Sequence, residues 1–236
     1  MLKEHLMTII LYDLAGADPD RRFSPFCWRT RMANAHKGLA VEAVPWRFTE
    51  KDVIAFSGQG KVPVIVDNGK AVVDSWVIAD YLDEKYPQKP LLATSGERAL
   101  AHFVSAWCDA AIHPAVARIV IADIPRHLAD KDKDYFRTSR EERFGMKLED
   151  VSAGREEKIA AFRQTIQPLR ATVEAQPYLG GASPNYADYV VFGAFQWARC
   201  ISPAKLLAAD DPVAAWRRRL LEAFDGLAGK APADDV

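Results

Sequence analysis

Apolar positions change their period twice along this chain. Residues 8–12, TIILY, form an apolar run rich in β-branched side chains and predict a strand. The stretch from Phe26 to Gly38 reads as a helix that stops at the glycine. VEAVPW, residues 41–46, alternates like a strand, and PVIVD (63–67) and KAVVD (70–74) flank Asn68-Gly69. An Asn-Gly pair suits the left-handed angles of a type I′ turn, so these two runs predict a hairpin. Ser75 then opens a helix with Val77, Ile78, Tyr81 and Leu82 on one face. The first part therefore reads β-α-β, a short connector, then β-β-α.

After Pro87 the pattern changes. Residues 88–97 read as a linker, and beyond them only helical spacing appears. Leu100, Phe103, Val104 and Trp107 make one apolar stripe. Residues 123–157 are highly charged and read as solvated; a lid, a dimer contact or a plain insertion would each fit. Ser139 with Glu142 predicts a capping box there. Ile159, Phe162, Ile166, Leu169 and Val173 keep a 3–4 spacing that Pro168 should kink. Residues 187–199 are apolar nearly all round and predict a buried helix. Val213, Trp216, Leu220 and Phe224 line a last amphipathic helix.

Composition narrows the classes. At 236 residues the chain can form one large domain or two modest ones. Its formal net charge of −1 lacks the basic footprint of a nucleic-acid binder. No single apolar run approaches the ~20 residues of a membrane span. The start, MLKEHLMTIILYDLAG, reads as a strand and not as a signal peptide. Three cysteines, Cys27, Cys108 and Cys200, are scattered without metal-ligand spacing and fit a reducing cytoplasm.

Three features carry candidate chemistry. Ser24-Pro25 stands at a helix start, inside a tetrapeptide SPFC whose first position is a hydroxyl and whose fourth is a thiol. A helix N-terminus carries partial positive charge and free N–H groups, and a hydroxyl there can donate to a bound thiolate. Val62-Pro63 begins a strand; were that peptide bond cis, the Val62 backbone would face outward and could pair with an extended peptide. Asp74-Ser75 begins a helix; Ser75 suits a carboxylate and Asp74 an ammonium. Taken singly, each reads first as an ordinary helix cap or edge-strand proline. Taken together, they suit a cysteine-containing tripeptide with a free α-amino-acid end, which is glutathione.

The order SPFCWR…KVPVIVD…DSWVIADYL resembles the thioredoxin-fold domain of the glutathione transferases. SPNYADYVVFGAF resembles the helix-start motif of their helical domain, with Asn185 as N-cap and Asp188 as its N3 partner. SPFCWRTRMANAHKG, DKDYFRTSREERFG and LEDVSAGREEK are further similar to bacterial glutathione-dependent β-aryl etherases of lignin breakdown and to related fungal-type transferases. The resemblance implies an α/β plus all-α architecture. A thioredoxin-like β-α-β-β-β-α domain would span 1–88, and a helical bundle contributing the electrophile pocket would span 96–236. It implies glutathione as cosubstrate, no metal, a small hydrophobic or aromatic electrophile and a homodimer. Ser24 would stabilise the thiolate. Val62, Pro63, Asp74 and Ser75 would hold glutathione, with Gln59 and Lys61 near its glycine carboxylate. Phe23, Trp107 and His113 would border the second substrate, although Trp107 equally suits core packing and His113, before Pro114, a kink. Cys27, one turn beyond Ser24, would be a small buried side chain. A general detoxifying transferase and a non-catalytic binding protein on the same fold are the rival readings.

Overall fold

Strand β1 (Ile9–Leu14) is the first element of the computed structural model, which describes residues 8–234. The opening MLKEHLM, read above as leading into a strand, and the last two residues of the helical region lie outside the described residues. Helix α1 (Pro25–Lys37) crosses over and returns the chain to β2 (Val41–Trp46), parallel to β1 with Ile9 opposite Val41. A 3₁₀ segment, Lys51–Ser57, leads to β3 (Val64–Asp67), antiparallel to β1 with Tyr12 opposite Val64. Strand β4 (Lys70–Val73) pairs back on β3, Val64 opposite Val73, giving the order β2-β1-β3-β4. Asn68 and Gly69 both have positive φ, 51° and 79°, as a two-residue hairpin of that type needs. Helix α2 (Ser75–Lys85) follows directly.

The β3–β4 register has a consequence for function. Pro63 and Asp74 lie immediately outside the Val64–Val73 pair, so the Val62-Pro63 and Asp74-Ser75 segments share one end of the hairpin. The Tyr12–Val64 pairing sets the C-terminal end of β1 at that same end, and the chain runs from there to Ser24. The Val62–Pro63 bond is cis.

The second part is entirely helical. Helices α3 (Ser95–Trp107) and α4 (His113–Val120), the π turn Cys108–Ile112 between them and the 3₁₀ turn Ile121–His127 form one rod. No single apolar run in it is long, yet end to end its 33 residues could cross a membrane by length and composition. Here its buried residues, among them Val104, Cys108, Ile112 and Val116, belong to the protein core, and the rod packs on α7 (Arg155–Thr165) and α9 (Tyr186–Ile201). Helices α5 (Asp130–Phe144), α6 (Leu148–Val151), α8 (Gln167–Ala175) and α10 (Pro212–Gly226) complete the bundle.

Helix α9 is the organising element, buried on almost every side as its all-round apolar sequence predicts. Asn185 caps it by accepting from Ala187 N–H at 2.9 Å. The Asp188 carboxylate accepts from the N–H groups of Leu179, Gly180 and Asn185 and from Trp216 Nε1. Tyr186 donates to the Ser75 carbonyl at 2.6 Å, which ties α9 to the start of α2.

Several local expectations need correction. Leu100 and Phe103 do not face the core; they are 39% and 71% exposed, and Ala101 and Val104 carry the buried face. The linker is shorter than 88–97 and is fixed in place. Helix α3 already begins at Ser95 behind a Thr94 cap, and Asp83 accepts from the N–H groups of Leu91 and Leu92. Ser139 is not a cap. It lies inside α5, and its hydroxyl donates back to the Tyr135 carbonyl at 2.7 Å. Pro168 does not kink a helix; the chain breaks at Ile166 and Pro168 sits in the first turn of α8, where its missing N–H costs nothing. Phe224 leaves the helical stripe of α10 with φ 53°.

Candidate active site

Ser24 precedes α1 with extended angles, and its Oγ accepts from Cys27 N–H at 3.2 Å. It is an N-cap, as its sequence position predicts. An accepting hydroxyl keeps its own proton to donate. Ser24 is only 5% exposed, yet it borders a cavity of about 660 Å³. Cys27 is fully buried, and burial, followed by the nearby Asp13 carboxylate, pushes its thiol well above the ordinary value. A thiol held neutral in this way is a poor nucleophile.

Ser24, Phe23, Lys61 and Val62 come from the sheet-bearing part and line the cavity; His113 comes from the bundle and lines it too. Asp74 and Ser75 are not in its wall. They form the start of α2, where Asp74 Oδ1 accepts from Trp76 and Val77 N–H. Asp74 is therefore the N-cap, and Ser75 opens the helix as its sequence position predicts. Gln59 also lies off the cavity and donates to the Lys61 carbonyl at 3.0 Å. Trp107 is half-buried against the core and does not border the cavity. It ends α3 just before the π turn, and Asp109 within that wide turn and His113, Pro114 and Ala117 beyond it form the cavity face of the rod.

His113 stands in a charged relay. Its Nδ1 lies 3.1 Å from Asp109, and Asp109 lies 2.8 Å from Arg29 of α1. Burial raises the Asp109 pKa, but the His113 hydrogen bond and the Arg29 charge outweigh it and bring it to about 2. Burial dominates at His113 and lowers its pKa against the pull of Asp109. Its Nε2 is buried with no hydrogen-bond partner. Cys108, Asp109 and His113 place three metal-ligating atoms within 4.8 Å of one another. The Arg29 guanidinium already contacts both the sulfur, at 3.8 Å, and the carboxylate, so a cation occupies that cluster.

The opposite wall was not read from the sequence. Phe48 stands at its centre, with ring centroids 5.5 Å from Phe136, 6.3 Å from Tyr135 and 6.3 Å from Phe23. Phe136 and Arg140 bring α5 to the cavity. Asp132 anchors that helix by accepting from Thr49 N–H and Oγ1 at 2.9 and 2.8 Å. The charged segment is thus partly a cavity wall and not merely solvated. Its signal was Phe136, Arg140 and Phe144 at i, i+4, i+8 among charges.

A mixed four-stranded sheet with α1 and α2, a cis-proline before β3 and a helical bundle define the architecture of glutathione transferases. Residues 19–90 match the family model for the glutathione S-transferase N-terminal domain, and residues 99–224 match that for the C-terminal domain. The chain belongs to the glutathione S-transferase family. It is 28% identical to the probable glutathione S-transferase GSTU6 of Oryza sativa subsp. japonica, over 89% of this chain and 86% of that one. Among solved structures it is similar to the glutathione S-transferase CsGST63524 of Ceriporiopsis subvermispora in complex with glutathione. That match has a TM-score of 0.78 and 27% identity, and covers 92% of this chain and 96% of the other. Glutathione transferase GSTFuA3 of Phanerochaete chrysosporium shares the fold, with a TM-score of 0.81 and 24% identity over 90% and 96% of the chains.

Proposed function

We propose that this protein activates the thiol of glutathione for attack on an aromatic electrophile, with β-aryl ethers as the substrate class. The observation that carries the reading is that Ser24 and Val62 border one cavity whose far wall is aromatic. The Ser24 hydroxyl donates to the thiolate at the positive start of α1. The Val62 backbone pairs with the cysteinyl part, behind Pro63. Asp74 Oδ2, which makes neither cap bond, takes the ammonium, and Ser75 takes the carboxylate beside it. Lys61, with Gln59 holding its carbonyl, meets the glycine end. The structure of the Ceriporiopsis relative with glutathione supports this assignment of the ligand.

In the reaction the sulfur forms a bond to the ether carbon. The carbon–oxygen bond breaks, and a phenolate leaves with the electron pair and takes its proton from water. The chain contributes orientation and thiolate stabilisation; the sulfur belongs to the cosubstrate. Residues 96–236 supply Phe136 and Arg140 to the electrophile wall, and the sheet-bearing part supplies Phe23 and Phe48. Exposed Val77 on α2 and Leu100 and Phe103 on α3 support a homodimer. Three free, buried cysteines support a cytoplasmic location.

The test is release of a fluorescent phenol from a β-aryl ether, with and without glutathione. Strictly glutathione-dependent release is expected. No release from protein that binds glutathione by calorimetry would leave a transferase for other electrophiles. No glutathione binding would leave a binding protein on the same fold.

A further inference from the structure

The α5 side of the cavity is positively charged although the chain as a whole is not. Lys61, Arg140 and Arg143 line the cavity against one carboxylate, Asp109. Asp109 is already engaged by Arg29 and His113. Glu141, next to Arg140 in sequence, is paired with Arg137 at 2.8 Å. Among the described residues neither Arg140 nor Arg143 has a carboxylate partner.

Arg140 is half-buried in an apolar setting. Its guanidinium lies 5.1 Å from the Phe48 ring and 4.9 Å from the Phe136 ring, and Nη1 donates to Ser139 Oγ at 2.9 Å. Those contacts, together with the Tyr135 side chain, hold the fork in place and offer it no carboxylate. Arg143 lies 4.9 Å over Phe144, one turn further along the same helix. Burial, and then the charge of Arg143, lower the Arg140 pKa against the pull of the Tyr135 side chain. A half-buried cation without an anion is unfavourable to the free protein. A ligand that brings the anion relieves it. A cleft lined by one sign of charge also focuses its field on the entering substrate.

We propose that the electrophile carries a carboxylate on its aromatic ring, and that Arg140 and Arg143 hold that carboxylate while the ring packs beside Phe48. This rests on the reading of the cavity as the electrophile site. The two carboxylates of glutathione are met elsewhere, at the start of α2 and near Lys61, so the α5 pair remains for the second substrate. The guanidinium fork matches a planar carboxylate in a paired geometry, and the surrounding rings favour a flat aromatic acid.

The test compares a chlorodinitrobenzoate with the matching chlorodinitrobenzamide. In both, the glutathione sulfur bonds to the ring carbon and chloride leaves with the electron pair. Each rate is divided by its uncatalysed rate. The wild-type kcat/KM should favour the carboxylate by about tenfold or more, the gain that one charge-assisted hydrogen bond supports. That ratio should fall towards one in Arg140→Gln and in Arg143→Gln, and stay high in Lys61→Gln. Binding of the unreactive dinitrobenzoate and dinitrobenzamide by calorimetry should show the same preference without any turnover.

Equal rates and equal binding for acid and amide in the wild type would overturn the proposal. So would a preference lost in Lys61→Gln and kept in both arginine variants. Weakened glutathione binding with an unchanged acid preference would assign the arginines to glutathione, again against the proposal. Absence of turnover with both compounds would instead count against the transferase reading, and the calorimetric preference would still decide the arginine site.

Discussion

Gly193 of α9 lies directly against the Pro25 backbone at the start of α1. A Cβ on Gly193 would fall on the Pro25 carbonyl oxygen and lie 3.2 Å from its carbon. The glycine is thus the reason the bundle can approach the residue that follows Ser24. Gly193→Ala should push α1 away from α9, lower stability by about 1–3 kcal/mol and slow turnover more than it weakens folding. Denaturant unfolding and kcat/KM, measured on the same preparation, check both parts. An alanine variant with full stability and activity would show that the two helices separate without cost.

Ser24→Ala should keep glutathione binding within a few-fold. The bound thiol should titrate higher, and kcat/KM at neutral pH should drop by about tenfold or more, since one pKa unit is about 1.4 kcal/mol. Loss of the cap to Cys27 N–H should cost about 1 kcal/mol of stability. The pH profile of kcat/KM separates the two effects, because only the thiolate role moves the profile.

Cys27→Ala should leave transferase activity largely intact and cost about 1 kcal/mol or more through the space left behind. In the native protein all three thiols should resist alkylation, because Cys27, Cys108 and Cys200 are buried and burial raises each pKa. Mass spectrometry after brief alkylation, with and without denaturant, reads this directly. Rapid native labelling of Cys27 would contradict its placement.

His113 should stay neutral at pH 7 with its proton on Nδ1, facing Asp109. Its folded pKa lies below the unfolded value of about 6.5, so the unfolded chain protonates first and stability falls as pH drops below that value. Asp109 acts in the same direction. Its pKa of about 2 lies below that of the unfolded chain, so the stability it adds is present above about pH 4 and is lost as pH falls through 2. Nitrogen-15 chemical shifts of the imidazole should report the tautomer, and Asp109→Asn should lower the His113 pKa further. A His113 that titrates near 6.5 in the folded protein would remove the relay.

Asp188→Ala should destabilise by about 3 kcal/mol or more, because four N–H donors, three of them fully buried, lose their common acceptor. Asp188→Asn should fall between that variant and the wild type in chemical denaturation. Equal stability of the alanine variant would mean that water replaces the carboxylate.

The sheet-bearing part was legible because its signals are local. Asn68-Gly69 sets its own hairpin, and β-branched runs carry their own period. The Asn185–Asp188 box was legible for the same reason. The cavity wall was not. Phe48 and Phe136 meet across 88 positions, a juxtaposition no short window contains. The π turn at Cys108–Ile112 also escaped sequence reading: one extra residue per turn leaves no mark in composition, yet it separates Trp107 from the cavity and brings His113 to it. Ser139 misled because Ser-x-x-Glu also occurs mid-helix, where the hydroxyl bonds backwards.

Arg29 belongs to α1 by sequence and to the rod by contact, since its guanidinium meets Cys108 and Asp109. This sets a rule for recombination within the family. A chimaera that takes its sheet half from one relative and its bundle from another inherits a broken joint unless positions 29 and 109 travel as a pair, and positions 25 and 193 with them. The two halves can be exchanged only along a seam that respects those partnerships, so new substrate range is more readily reached by altering α5 than by shuffling domains.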